Sequence, residues 1–362
     1  MIYLDYQATT PLAPEAFEAM VPLLRDQFAN PHSAHRAGRA AAAQVEVARD
    51  EIARLLPPGG RLIFISGATE ALNIAIQGAP PGGIVTIATE HAAVLDTAEA
   101  MRRQGRDVTI LPVDGDGLVD MDAARAVIRP GVALVAAMLV NNEIGVIQPT
   151  AALARLAREA GALFLCDAVQ GYGRVPMPDG CDMIAISAHK IHGPKGVGAL
   201  WLRDGVRPAP LLHGGGQEAG LRSGTLSPAL CAGFGVAARL MRERADADRT
   251  HVESLASLVR TLLPDWSLNG SATHRYPGNL NLRRDGIDGA RLLSYCRNVA
   301  FSLGSACASG SGRPSHVLRA LGLTERQARG SVRIGFGRYT TPDEVERAAR
   351  ALNEAAAAQA AP

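Results

Sequence analysis

The chain has 362 residues, of which 47% are hydrophobic and 20% are charged, a balance that is ordinary for a globular protein with a large core. A net charge of +2 without a basic stripe excludes nucleic acid as an expected partner. No uncharged apolar run reaches the roughly 18 residues of a membrane helix, and the N-terminus lacks a secretory signal, so we expect a cytoplasmic protein that contacts no membrane.

Apolar runs of strand length alternate with helical patterns through the first two thirds of the chain. Strands are predicted at residues 2–6, 61–65, 84–88, 108–113, 132–140, 162–166, 183–186 and 197–202. Helices are predicted at residues 15–24, 39–56, 71–76 and 151–160, and a long helix is predicted to open at 222–225. Beyond about residue 247 the alternation fades. The pattern predicts an α/β protein with a large domain (13–247) and a smaller α+β domain (1–12 and 248–362).

A small-residue turn, Ser66-Gly-Ala-Thr-Glu70, connects the strand predicted at 61–65 to a helix. The first turn of a helix offers unpaired N–H groups and the positive end of the helix dipole, so this arrangement is typical of phosphate binding. Thr69 could add a hydroxyl donor. Alternatively, Ser66 or Thr69 caps the helix, and both interpretations can hold together.

Two polar residues follow predicted strands at their carboxyl ends, where open α/β sheets bind ligands. His91 follows the strand at 84–88, although a histidine there can also be an ordinary surface residue. Asp167 ends the apolar run at 162–166, and a lone charge at such a place is costly without a partner. The protonated pyridine nitrogen of a bound cofactor would be such a partner, because a carboxylate beside it keeps the ring protonated. The alternative is an aspartate that caps a helix.

Lys190 lies in Ser187-Ala-His-Lys-Ile-His-Gly-Pro-Lys195, a polar turn between two apolar runs. Burial disfavours the ammonium form and lowers the pKa of a lysine, so the free amine becomes available to form a Schiff base with an aldehyde. Lys190 is therefore a candidate anchor for pyridoxal 5′-phosphate (PLP). The alternative is a solvated lysine in a turn.

The chain has five cysteines, an odd number, and no Cys-x-x-Cys pair, so we expect neither a disulfide framework nor a metal site. Four of them have apolar neighbours and are predicted to be buried: Cys166, Cys181, Cys231 and Cys296. Cys307 differs because almost all of its neighbours are small, so its thiol should be reachable and is a candidate nucleophile.

Arg333 lies in a strand-like apolar pattern, Ser331-Val-Arg-Ile-Gly335. A guanidinium that points inward from a strand suits a carboxylate, which it can bind through two hydrogen bonds. The interpretation left open is a structural salt bridge.

Together these motifs resemble the cysteine desulfurases of the NifS/IscS type, within the class V, fold-type I PLP enzymes. The resemblance covers nearly the whole chain in family order and rests on ten stretches: Tyr3-Leu-Asp-Tyr-Gln-Ala-Thr-Thr-Pro11, Ser66-Gly-Ala-Thr-Glu70, Glu90-His91, Val140-Asn-Asn-Glu-Ile-Gly145, Asp167-Ala-Val-Gln170, Ser187-Ala-His-Lys-Ile-His-Gly-Pro-Lys-Gly196, Gly214-Gly-Gly-Gln-Glu218, Arg222-Ser-Gly-Thr225, Gly304-Ser-Ala-Cys307 and Val332-Arg333. It implies a mainly parallel seven-stranded sheet in the large domain.

The resemblance also implies how PLP is held. Lys190 would form the Schiff base and shuttle protons, and Asp167 would pair with the pyridine nitrogen. His91 would stack on the ring and assist proton transfer, and Gln170 would bond the ring hydroxyl. The remaining cofactor contacts would come from residues of the same subunit: Ala68, Thr69, Asn142, Ser187 and His189.

Further implied roles concern the second subunit and the substrate. Thr225 would reach the phosphate from the other subunit of a homodimer, in addition to Thr69, Ser187 and His189. Arg333 and Asn142 would grip the substrate carboxylate.

The implied reaction converts L-cysteine to L-alanine, with the sulfur left as a persulfide on Cys307. A sulfur-acceptor protein in iron–sulfur cluster or thiolated cofactor assembly would then take the sulfur. One alternative is a selenocysteine lyase, or another class V PLP lyase or aminotransferase, in which Cys307 is dispensable. Another is a non-catalytic sulfur-transfer scaffold, which would not need Lys190, Asp167, His91 and Arg333.

Overall fold

The computed structural model describes residues 1–303 and 315–360. Cys307 lies outside these residues. The strands are β1 (Ile2–Tyr3), β2 (Gly60–Ile65), β3 (Gly83–Ile87), β4 (Val108–Leu111), β5 (Val132–Met138), β6 (Leu163–Asp167), β7 (Met183–Ser187), β8 (Gly198–Arg203), β9 (Ser267–Leu268), β10 (Asn279–Arg283), β11 (Val299–Ala300) and β12 (Ser331–Gly335). The α-helices are α1 (Pro14–Arg25), α2 (Arg36–Ala53), α3 (Ala68–Gln77), α4 (Ala92–Arg103), α5 (Met121–Val127), α6 (Thr150–Ala160), α7 (Pro228–Glu243), α8 (Ala245–Leu262), α9 (Gly289–Tyr295), α10 (His316–Ala320), α11 (Glu325–Arg329) and α12 (Pro342–Ala360).

The predicted seven-stranded sheet is confirmed, with the order β2-β8-β7-β6-β5-β3-β4. β8 pairs antiparallel with both β2 and β7, and the remaining pairs are parallel. Every residue of β7 is buried, as expected when helices cover both faces of a parallel sheet. Because only β8 runs against the others, the carboxyl ends of β2, β3, β5, β6 and β7 lie at one edge, where the candidate site is found.

Separate hydrophobic clusters lie on the two faces of this sheet, as alternate residues along each strand require. Cys166 belongs to one cluster and Leu165 to the other. A further cluster joins Ile2 and Leu4 to residues of α8, β10, β12 and α12. This separation supports the division that we propose, with residues 1–12 and 248–362 in one domain and 13–247 in the other.

Two helices begin away from their predicted first residues because of their caps. α2 starts three residues early, where the Nδ1 atom of His35 accepts the Gly38 N–H. The helix predicted to open at 222–225 is α7, and it begins only at Pro228, after Ser227 accepts the Leu230 N–H. The segment at 222–225 is therefore irregular backbone, which bears on the site below.

Among the described residues, no helix is long and apolar enough to cross a membrane. The same residues contain no group of three or more histidine, cysteine, aspartate or glutamate side chains that could hold a metal ion.

Candidate active site

A cavity of about 530 Å³ opens at the carboxyl edge of the large sheet. The predicted site residues that line it are Ala68, Thr69, His91, Asn142, Asp167, Gln170, Ser187, His189, Lys190 and Arg333. Thr225 does not line it and is exposed on the surface. The structure thus brings together residues that are up to 265 positions apart in the sequence, from Ala68 to Arg333.

The small-residue turn after β2 presents the N-terminus of α3 to the cavity. The helical hydrogen bonds start with Glu70 and Ala71, which both donate to the Gly67 carbonyl, so the N–H groups of Ala68 and Thr69 precede the ladder. The interpretation that Ser66 or Thr69 caps this helix is wrong, because the N-cap is Gly67 and no side chain accepts there. The free N–H groups fit an anionic phosphate.

Gly198 at the start of β8 allows this turn to lie close to the sheet. A Cβ atom at that position would be 2.9 Å from the Gly67 Cα atom and 2.7 Å from the Ile186 carbonyl oxygen. Because neither neighbour is a flexible side-chain end, any larger residue would displace the turn. The position of the turn at residues 66–69 therefore depends on a glycine from a strand that follows it by more than a hundred residues.

Lys190 follows β7 and faces the cavity from its floor. Its Nζ atom donates to the carbonyl oxygens of Gln7 at 2.5 Å and Ala8 at 2.8 Å. Burial, with the positive charges of Arg333 and Arg174 nearby, lowers the pKa of Lys190 to about 8. The interpretation of Lys190 as a solvated turn residue is therefore wrong, and its amine is suited to attack an aldehyde.

This pKa makes a kinetic prediction for the apoprotein. Only the unprotonated amine reacts, so the rate of covalent PLP attachment should rise with pH and level off above about pH 8. Nα-acetyl-lysine in the same buffers is the control, and its rate should keep rising towards its ordinary pKa of about 10.4. Stopped-flow absorbance measures both rates. Parallel pH profiles for the protein and the free lysine would contradict the prediction.

Asp167 ends β6 as a buried carboxylate at the cavity wall. It accepts the Val169 N–H at 3.0 Å, and so caps a turn rather than the helix that was the alternative. Burial raises its pKa, although the neighbouring His91 and Lys190 side chains and the Val169 N–H oppose the rise. Within residues 1–303 and 315–360 no basic side chain forms a salt bridge with it. A cationic N–H group of a ligand fits this carboxylate.

His91 is the N-cap of α4 and lines the cavity. Its Nδ1 atom accepts the Ala93 N–H at 3.0 Å, and burial lowers the pKa of the ring. The imidazole is therefore neutral at physiological pH, with its proton on Nε2. A neutral ring of this kind can lie against an aromatic ligand and exchange a proton through Nε2.

Two further predicted contacts already have protein partners. The Nδ1 atom of His189 lies 3.1 Å from the Thr9 hydroxyl, and burial lowers the pKa of His189 to about 4. The Gln170 side chain donates to the Gln7 carbonyl and accepts from Arg174. The N-terminal segment thus holds polar groups at the cavity.

Arg333 on β12 is 1% exposed, yet it reaches the cavity wall. Its guanidinium pairs with Asp5 at 2.8 Å and donates to the Asn142 carbonyl at 3.0 Å. The structural salt bridge that the sequence left open is therefore present. The Nε atom is buried without a partner, so part of the donor capacity of Arg333 remains unused within the described structure.

Sequence reasoning missed the role of the N-terminal segment. Asp5 could have been found, because a carboxylate in an apolar extended segment needs a cationic partner. Gln7 and Ala8 hold Lys190 through backbone carbonyls, and a backbone carbonyl carries no signature of residue type.

Three features of the cavity together fit PLP: a helix N-terminus with free N–H groups, a lysine with a lowered pKa, and a buried carboxylate that pairs with no basic side chain among the described residues. A family model of class-V aminotransferases matches residues 2–348 of the chain. The mitochondrial cysteine desulfurase of Candida maltosa is 44% identical over 371 residues, which cover 98% of this chain and 77% of that protein.

Two further similarities agree. The cysteine desulfurase IscS of Rickettsia bellii (strain OSU 85-389) is 42% identical over 368 residues, covering 97% of this chain and 90% of that protein. A solved NifS-like protein superimposes with a TM-score of 0.90 at 32% identity, and the alignment covers 98% of both chains. The chain therefore belongs to the class-V aminotransferase family and, within it, to the PLP-dependent cysteine desulfurases.

Proposed function

We propose that this desulfurase acts on L-cysteine, releases L-alanine and keeps the sulfur as a persulfide on Cys307 for transfer to an acceptor protein. The observation that carries the proposal is the cavity in which Lys190, with its pKa of about 8, faces Asp167 and the N-terminus of α3. Ionisable groups whose pKa values are shifted by burial at the wall of a cavity are typical of catalytic sites.

The residues of this chain divide the task of holding the cofactor. Lys190 would carry it through Nζ, and Asp167 would face the pyridine nitrogen. When bound, PLP supplies an electron sink for a carbanion at the substrate Cα atom. The phosphate would meet the N–H groups of Ala68 and Thr69, together with Ser187 and His189, all of which line the cavity.

Proton transfer falls to Lys190 and His91. The Lys190 amine can accept a proton near pH 8 and return it, which is the property required of a shuttle at neutral pH. His91, held by Ala93 through Nδ1, has only Nε2 available for exchange. Gln170 would hold the ring hydroxyl, because its amide is fixed by the Gln7 carbonyl and still has a second N–H.

The substrate carboxylate would lie at Arg333 and Asn142. Asp5 and the Asn142 carbonyl hold the guanidinium, so Arg333 is already oriented before a substrate arrives. Asn142 lines the same wall and can donate from its amide. A preoriented arginine loses little conformational entropy on binding.

Sulfur transfer requires one bond exchange. The Cys307 thiolate forms an S–S bond with the substrate sulfur as the bond from that sulfur to Cβ breaks, and the electron pair stays with the carbon, which takes up a proton. Cysteine and thiol give alanine and persulfide, so no outside oxidant or reductant enters. The acceptor in iron–sulfur cluster or thiolated cofactor assembly then takes the outer sulfur.

The surface position of Thr225 supports a homodimer. An exposed threonine outside its own cavity can serve the site of a second copy, where its hydroxyl would reach the phosphate. Sedimentation of the holoenzyme tests this part of the proposal. The cytoplasmic location also belongs to the proposal, and fractionation of the source cells tests it.

A product assay tests the reaction. With L-cysteine and a thiol reductant, the holoenzyme should release alanine and sulfide in equal amounts over many turnovers. Without reductant or acceptor, alanine should stop at about one equivalent per site, because the persulfide blocks Cys307. Alanine from L-selenocysteine but not from L-cysteine would favour the selenocysteine lyase. Amino transfer to a 2-oxo acid would favour an aminotransferase, and no turnover would favour a scaffold.

A further inference from the structure

An ion pair lies directly behind the phosphate-binding turn. Glu70, in the first turn of α3, accepts the Ser66 N–H at 2.7 Å and also the Ser66 hydroxyl. Arg222, from the irregular segment before α7, pairs with Glu70 at 2.8 Å. Both side chains are less than one fifth exposed, at 16% and 18%. Glu70 lines the cavity, whereas Arg222 reaches it only through Glu70.

Arg222 is held in place before any ligand binds. Its backbone forms a parallel bridge with Leu212, and the next residue, Ser223, donates to the Leu212 carbonyl at 3.2 Å. The Gln217 side chain accepts the Gly224 N–H at 2.9 Å. The guanidinium is therefore presented by an ordered segment, and this segment ends in Thr225.

The negative charge of Glu70 lies where a phosphate would bind, and the positive charge of Arg222 can compensate it. A carboxylate at a helix N-terminus interacts favourably with the helix dipole, which is the same field that a bound phosphate uses. Burial would raise the pKa of Glu70, but hydrogen bonds from Arg222 and Ser66 prevail and the pKa is lowered, so Glu70 is ionised. A bare carboxylate at this turn would repel a phosphate dianion.

We propose that Arg222 is a positioning residue for cofactor binding, which neutralises Glu70 so that the Ser66–Thr69 turn can accept the phosphate of PLP. The inference rests on the proposed function only in taking PLP as the ligand. Glu70 holds the shape of the turn through Ser66, and Arg222 removes the electrostatic cost of having a carboxylate there.

This arrangement predicts that replacing Arg222 and replacing Glu70 affect the affinity for PLP differently. Arg222→Gln leaves Glu70 charged and unpaired, so the affinity of the apoprotein for PLP should fall about tenfold at low ionic strength. Glu70→Gln keeps an acceptor for the Ser66 N–H and removes the negative charge, so affinity should stay within about twofold of the native value or improve. The double variant should regain most of the affinity that Arg222→Gln loses, because the repulsion is gone.

The experiment titrates native and variant apoproteins with PLP and, separately, with pyridoxal, which lacks the phosphate. Arg222→Gln should weaken PLP but leave pyridoxal unchanged, and added salt should reduce its effect. If both single variants weaken PLP equally and the double variant is weaker still, the pair has only a structural role and the proposal fails. An equal loss for pyridoxal would also overturn it. A native protein that binds no PLP would instead refute the proposed function.

The Arg203–Asp182 pair provides a matched control. Asp182 accepts a backbone N–H, that of Phe164, at 2.7 Å and pairs with Arg203, much as Glu70 binds Ser66 and Arg222. Neither residue lines the cavity. Arg203→Gln should therefore leave the affinity for PLP unchanged, and thermal unfolding of both arginine variants shows how much of any effect comes from stability. A loss of PLP affinity in Arg203→Gln equal to that in Arg222→Gln would overturn the proposal.

Discussion

Replacement of Lys190 by alanine should abolish covalent attachment of the cofactor and lower turnover of L-cysteine by a factor on the order of a thousand or more. The amine at this position has a pKa of about 8 and is held by the Gln7 and Ala8 carbonyls. Lys195 is the other described lysine that lines the cavity, so the experiment must separate the two. The loss should appear both in visible absorption and in alanine release.

Lys190 and Lys195 are the only lysines in the sequence, so only these two side chains can compete for a Schiff base with the cofactor. Borohydride reduction of the holoenzyme, followed by peptide mass spectrometry, should find the cofactor on Lys190 alone. Lys195→Ala is the matched control and should keep the covalent adduct. An adduct on Lys195 in the native protein, or full turnover by Lys190→Ala, would show that the central assignment is wrong.

Replacement of Cys307 by alanine should abolish turnover of L-cysteine without affecting attachment of the cofactor. The variant should bind PLP with native absorption and affinity but release almost no alanine or sulfide from L-cysteine, because nothing accepts the substrate sulfur. Alanine and sulfide assays measure the loss, and absorption shows that the cofactor remains. Native turnover by Cys307→Ala would favour a lyase that eliminates sulfur directly.

The other cysteines supply the control for this experiment. The described thiols, Cys166, Cys181, Cys231 and Cys296, are all buried. Burial raises the pKa of Cys231 to about 12 and raises that of Cys296 as well, so these thiols are poor nucleophiles. Cys296→Ala should therefore retain turnover. Iodoacetamide should label one thiol per native chain and none in Cys307→Ala.

The parts of the fold that the sequence predicted best are those in which local pattern and burial agree. The apolar runs of β5, β6 and β7 are recognisable in the sequence because strands with parallel neighbours are buried on both faces and read as continuous hydrophobic segments. Asp167 could be singled out because a lone charge at the end of such a run is costly without a partner, and Lys190 because burial between two such runs lowers the pKa of its amine.

The parts that could not be predicted depend on contacts between distant segments. The start of α7 at Pro228 follows from the Ser227 cap, whereas the pattern at 222–225 suggested an earlier start. The bond from Lys190 to the Gln7 carbonyl and the pairing of Arg222 with Glu70 involve backbone atoms or charges whose partners lie far away in sequence. No local periodicity encodes such pairs.

The hydrogen bonds from Lys190 to the Gln7 and Ala8 carbonyls determine when the lysine site can form during synthesis of the chain. The Ile2 and Leu4 N–H groups donate to the Asn298 and Ala300 carbonyls, and these contacts fix the segment that continues to Gln7 and Ala8. Ala300 follows Lys190 by about 110 residues, which the ribosome adds in roughly 5–22 s at about 5–20 residues per second. The nascent protein therefore completes its lysine site only after β11 has been synthesised, so capture of the cofactor on a fully formed site follows the synthesis of most of the smaller domain.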